Sequence, residues 1–122
     1  MRSIRSRDTK PELIVRRVAT ALGYRYRLYK STLPGKPDLV FASRRKVIFV
    51  HGCFWHGHDC KRGAREPKSN IDYWRTKVRR NRERDTRALT ALSEADWSVL
   101  VIWECETHDS SILSDRIAEF LN

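Results

Sequence analysis

From His51 to about Asn70 the chain carries histidines, cysteines, glycines and basic residues but neither the 3.6-residue nor the two-residue periodicity of regular structure. An ordered irregular segment of that length is uncommon in a compact domain, so something beyond packing must hold it. The whole chain has 122 residues, room for a single domain over 1–122 with one modest core. The segment supplies its own candidate staple. Cys53-x4-His58-x-Cys60 falls inside it, and Cys105 stands at the end of a later strand-like run. Thiolate and imidazole suit tetrahedral Zn²⁺, and four such ligands make a closed, structural site. The spacing is not that of a common zinc finger, His51, His56 and Asp59 compete as ligands, and Cys105 alone reads equally well as a buried thiol.

The elements on either side are more regular. Residues 1–7 are basic and read as an arm that orders on an anionic partner. Asp8 or Thr9 can cap a helix whose first turn takes Pro11 and Glu12, whose apolar side is Leu13, Val15, Val18, Ala19 and Leu22, and which Gly23 stops. Tyr24–Tyr29 alternates aromatic and basic residues and predicts a strand with one wet face. After the Leu33–Pro37 turn, Asp38–Ser43 predicts a strand. Arg44 and Arg45 then turn into Lys46–Val50, a strand apolar enough to be buried on both faces. A helix is predicted over Asp72–Ala95, a buried strand over Trp97–Glu104 and a closing helix over Ile112–Leu121. This order predicts an α/β fold, a mixed central sheet flanked by helices.

Lys and Arg number 25 against 15 Asp and Glu, a formal charge of +10, which favours a polyanionic partner. No apolar run is long enough to span a bilayer and no charged-then-apolar leader opens the chain, so a cytoplasmic protein is expected. In the long helix, Trp74, Val78, Asn81, Asp85, Ala88 and Leu92 share one face, so Asn81 and Asp85 point at the protein body and need polar partners there. The histidine segment or a metal-bound water could supply them, or neighbouring arginines could. On the other faces Arg75, Lys77, Arg79, Arg80, Arg82, Arg84 and Arg87 read as phosphate contacts.

Phosphodiester hydrolysis needs a carboxylate to hold Mg²⁺ and a group to activate water. Asp38, opening a strand after a Pro-Gly turn, is the natural ligand, and the Val50 carbonyl at the neighbouring strand end a second. Glu12 could orient metal-bound waters. The Glu-x-Lys pair usual in such nucleases is missing after Val50; His51 and His56 stand nearby, and His56 is a competent general base. A lone Pro-Asp is as compatible with a polar strand edge.

Four blocks, His51-Gly-Cys-Phe-Trp-His-Gly-His-Asp-Cys60, Leu33-Pro-Gly-Lys-Pro-Asp38, Asn81-Arg-Glu-Arg-Asp85 and Trp103-Glu-Cys105, closely resemble the very-short-patch repair (Vsr) endonucleases of bacteria, as does the opening Met1–Glu12. The resemblance implies a restriction-endonuclease-like fold with a zinc-stapled loop, and a strand-specific nick 5′ of the T in T·G mispairs left by deamination of 5-methylcytosine. It implies that Asp38 ligates two Mg²⁺ ions, the Val50 carbonyl completing one, and that His56 is the general base, with Glu12, His51 and Asp85 ordering waters and imidazoles. Cys53, His58, Cys60 and Cys105 would hold one Zn²⁺. Phe54, Trp55 and Trp74 would wedge into the major groove beside the mismatch, with Met1 and Ile4 pressing from the minor groove. Arg75, Lys77, Arg79, Arg80 and Asn81 would contact DNA, and the protein would act as a monomer. Two alternatives stand beside this: a related restriction or mobile-element nuclease with another DNA target, and a zinc-stabilised DNA-binding module without hydrolysis.

Overall fold

The computed structural model describes residues 9–28, 33–53 and 69–122. Helix α1 spans Lys10–Ala21. The Thr9 hydroxyl accepts the Glu12 N–H (3.5 Å) and donates to the Glu12 carboxylate (3.0 Å), so cap and first turn hold each other. Gly23, at φ +89°, ends it in a backbone conformation that costs glycine least.

Strand β1 (Arg27–Leu28) pairs antiparallel with β2 (Leu39–Phe41), which pairs antiparallel with β3 (Lys46–His51), and β3 pairs parallel with β4 (Ser98–Trp103). The long helix α2 (Ile71–Glu94) makes the crossover between the two parallel strands, and α3 (Ser110–Leu121) closes the chain. The sheet is mixed, in the order β1-β2-β3-β4, and the α/β expectation holds.

Side-chain alternation sorts the sheet into two faces. Leu39, Phe41, Ile48 and Ile102 meet Val15 and Ala19 of α1 and Leu113, Ile117 and Leu121 of α3. Val40, Val47 and Phe49 face the other way, with Leu92 of α2 and the half-buried Leu89, Val99 and Val101. Lys46–Val50 read as doubly buried from its composition, and β3 is indeed covered on both faces.

Three expectations need correction. Tyr24–Tyr26 of the strand predicted over Tyr24–Tyr29 are not strand: the described strand is Arg27–Leu28, Tyr29 lies outside the described residues, and Tyr24 and Tyr26 turn edge-on against Phe41, with ring centroids 6.5 and 6.0 Å away. The second strand stops at Phe41, and Ala42–Arg44 form a 3-10 turn that ends in Arg45 at φ +52°. The strand over Trp97–Glu104, expected to be buried, is Ser98–Trp103 and mostly half-buried. As β4 it lies at the end of the strand order among the described residues, and of its six residues only Ile102 is fully buried.

Two basic residues beside this turn secure the far end of α3. The Lys46 ammonium donates to the carbonyls of Phe120 (2.6 Å) and Asn122 (3.3 Å), and the Arg44 guanidinium to that of Leu121 (2.9 Å). The last carbonyls of a helix lack intrahelical donors and carry its negative dipole end, so cations are favoured there. Lys46→Met is expected to cost about 1–2 kcal/mol, read as a lower urea midpoint at unchanged slope; an unchanged midpoint would show that solvent serves those carbonyls equally well.

Candidate active site at the carboxyl ends of the parallel strands

Because β2 runs against β3, and β3 runs with β4, the start of β2 and the ends of β3 and β4 meet at one end of the sheet. Asp38 immediately precedes β2, and its backbone N–H donates to the Ile48 carbonyl (3.1 Å). Its carboxylate accepts the Val50 N–H at 2.6 Å. That short bond locks the side chain across the strand ends. A carboxylate offers two oxygens and about four lone-pair sites, so one N–H orients it without exhausting its capacity for a cation.

His51, the last residue of β3, is opposite Trp103 in the parallel register and shares the α2 face of the sheet with Phe49. Its ring sits 5.7 Å from that of Phe49 and 5.2 Å from that of Trp103. Asp85 reaches it from α2, with Nδ1 and Oδ2 3.9 Å apart. This is too long for a direct hydrogen bond but close enough for strong attraction if the imidazole is protonated, since the histidine side chain is only 9 % exposed. Two residues placed near the site from helical periodicity and strand position are thereby brought side by side.

Glu12 also lies indoors, 4 % exposed, fixed by Thr9 and by Arg16, whose Nη2 donates at 3.4 Å. Asn81 is buried as expected. Its side-chain oxygen takes a hydrogen bond from Arg84 (2.8 Å), an arginine one turn along the helix. Trp74, expected as a wedge, is 8 % exposed on the inward side of α2, whereas Arg75, Lys77, Arg79 and Arg80 are all exposed.

The cysteines at the same end of the sheet also come together. Cys53 is buried two residues after β3, Cys105 follows β4 in the Glu104–His108 turn, and the Cys105 N–H donates to the Cys53 sulfur at 3.4 Å. Met1, Ile4, Phe54, Trp55, His56, His58 and Cys60 lie outside the described residues. Among the described residues no three His, Cys, Asp or Glu side chains form a group that could hold a metal. Those present nevertheless fit the two groups expected: a tethered carboxylate offers the oxygen that Mg²⁺ requires, and two adjoining cysteines offer half of a zinc tetrahedron.

Sequence reasoning missed Trp103 as the ring against His51, and it offered Arg84 for Asn81 only as one of several neighbouring arginines. The second had a signal in the three-residue spacing. The first had none, because it depends on the register of two strands separated by α2.

The arrangement defines an α/β protein with its polar, titratable groups gathered outside the carboxyl ends of parallel strands, where open α/β sheets place their ligand sites. The family model described as DNA mismatch endonuclease Vsr matches residues 1–62. Over the full chain the sequence is 49 % identical to the type II nicking enzyme V.XorIIP of Xanthomonas oryzae, covering 100 % of this chain and 89 % of that protein. It is 43 % identical to the type II nicking enzyme V.NmeAIP of Neisseria meningitidis over 96 % of this chain and 83 % of that one. With the DNA mismatch endonuclease Vsr of Escherichia coli K12 the identity is 40 %, over 95 % of this chain and 74 % of the relative. The chain belongs to the Vsr family.

Proposed function

We propose that this protein is a Mg²⁺-dependent DNA endonuclease that nicks one strand of a duplex on the 5′ side of a thymine mispaired with guanine. The observation that carries the reading is the Asp38 carboxylate, tied to the Val50 N–H at the strand ends beside the His51–Asp85 pair, in a chain whose relatives bear the names of nicking enzymes and a mismatch endonuclease. Mg²⁺ held by Asp38 and the Val50 carbonyl would stabilise the charge that develops on the phosphoryl oxygens.

The protein's own groups do the rest. Asp38 is presented in a fixed orientation, so no binding energy is spent on ordering it. Asp85 orients the His51 imidazole. His56, five residues further on, serves as the general base, and Glu12 orders water from the α1 side. Cys53 and Cys105, joined by His58 and Cys60, would hold a Zn²⁺ ion, which would tie the His56 segment to the sheet. Asp85→Asn is expected to slow nicking about 10- to 100-fold while leaving duplex affinity unchanged; a parallel loss of binding would give Asp85 a structural role instead.

The exposed arginines and lysine of α2 provide sequence-independent grip on phosphates. Mismatch preference follows if Phe54, Trp55 and Trp74 unstack bases beside the mispair, a cost a mismatched pair lowers. Trp74 must be uncovered for this, so its engagement has to accompany a rearrangement of its surroundings on DNA.

A duplex carrying a single T·G pair, labelled on the T strand and incubated with Mg²⁺, tests the proposal directly. One product cut 5′ of the T and no product from the T·A control are expected. Equal nicking of both duplexes favours the second reading, a nuclease with another DNA target. Binding without cleavage of any duplex would leave a non-catalytic DNA-binding module.

A further inference from the structure

The Leu33–Pro37 turn and the middle of α2 enclose an open groove of about 490 Å³. Three cations, Lys36, Arg84 and Arg87, ring an apolar floor that includes Pro34, Ala88 and Ala91, and among the described residues no carboxylate lines it. The turn is seated hard against the helix. A Cβ at Gly35 would stand 2.7 Å from the Ala88 Cβ and 3.1 Å from the Phe49 ring, at φ +75°, so only glycine allows this approach.

The cations are not consumed inside the protein. The side chains of Lys36 and Arg87 have no hydrogen bond or ion pair among the described residues. Arg84 donates to the Asn81 oxygen, a bond that orients a guanidinium having five N–H donors in all. Three like charges around one groove repel each other, a cost an anion removes. The groove also adjoins the candidate site: its Gly35 lies against the Phe49 ring, which stands 5.7 Å from the His51 ring.

We infer that this groove seats the sugar–phosphate backbone of duplex DNA, with Lys36, Arg84 and Arg87 binding phosphates that flank the one presented to Asp38. The inference rests on the reading of DNA as substrate given above, adds Lys36 to the phosphate contacts, and assigns to it and to Arg84 and Arg87 the task of setting the strand in register. The apolar floor argues for the backbone over a free phosphate ion: deoxyribose carbons can pack on proline and alanine, whereas a small hydrated anion gains nothing there. The openness of the groove suits a polymer that must pass through.

The test is duplex binding by fluorescence anisotropy in Mg²⁺-free buffer across a NaCl series, alongside a nicking assay with Mg²⁺. Each phosphate left without its cation should lower the slope of log affinity against log salt by about 0.9, whatever the sequence bound. Lys36→Gln and Arg87→Gln should each show that drop, with affinity lower by about 3- to 10-fold, and the double variant about twice the drop in slope. Ala91→Glu, which sets a carboxylate one turn from Arg87, should mimic Arg87→Gln without removing a cation. Arg17→Gln, an exposed cation on α1, should keep the wild-type slope. The inference is overturned if Lys36→Gln and Arg87→Gln, melting as the wild type does, keep the wild-type slope, or if Arg17→Gln loses as much. Should the double variant fail to fold, the single variants decide. Wild-type nicking with unchanged slopes in the variants would sink the groove alone; altered slopes without any wild-type nicking would sink the endonuclease reading and leave the groove as a DNA-binding surface.

Discussion

Asp38→Ala is expected to lower nicking of a T·G duplex by about 10³-fold or more, with affinity for the same duplex in Mg²⁺-free buffer within about twofold of wild type. That loss corresponds to about 4 kcal/mol of transition-state stabilisation, the scale of removing a metal ion's principal ligand. A complication is built into the site, since alanine also strips the Val50 N–H of its 2.6 Å acceptor. An unmade buried hydrogen bond costs about 1–3 kcal/mol of stability and could disturb the strand ends without any catalytic role. Asp38→Asn separates the two effects. Its amide oxygen can still accept the Val50 N–H, while the negative charge a cation needs is gone. Both variants should be inactive and only the alanine variant should melt lower. An asparagine variant with most of the wild-type rate would remove Asp38 from the chemistry.

Stripping zinc, or Cys105→Ser, should lower the melting temperature by more than about 10 °C, the consequence of losing at least a few kcal/mol from a domain of this size. Cys53 is fully buried, and its sulfur takes the Cys105 N–H. The two cysteines leave the ends of neighbouring parallel strands, so a metal between them would clasp the same end of the sheet that carries Asp38 and His51. Elemental analysis should find one zinc per chain. A protein verified as zinc-free with an unchanged melting curve would show that packing alone holds Cys53 against Cys105, and would leave the long segment after Cys53 without its staple.

Much of the fold was legible because local chemistry and tertiary structure agree. Thr9, Pro11 and Glu12 announce α1 by capping, and Lys46–Val50 announces a central strand by being apolar at every position but its first. The inward face of α2 followed from periodicity, and Trp74, Val78, Asn81, Ala88 and Leu92 are its buried residues. The misread elements are those where tertiary packing overrides a local pattern. The alternation at Tyr24–Tyr29 resembled a half-buried strand, yet the tyrosine rings find a better surface on Phe41 than a ladder partner would offer. The run after Trp97 is as apolar as a buried strand, and nothing in it reveals that most of its residues stay half-buried.

The candidate site divides in the same way. Residue type and short-range spacing suffice to name the groups available: a carboxylate at the head of one strand, an imidazole at the tail of the next, paired polar residues one turn apart on a helix, and an excess of positive charge. The chain carries these properties whether or not it folds. Folding was needed to anchor Asp38 on Val50, to set His51 between Trp103 and Asp85, and to bring Lys36 across a groove from Arg84 and Arg87. Each of these joins residues from different elements, and so depends on strand register and on how closely Gly35 lets a turn approach a helix. Those are set by the packing of the whole sheet, a long-range balance that no local stretch of sequence encodes.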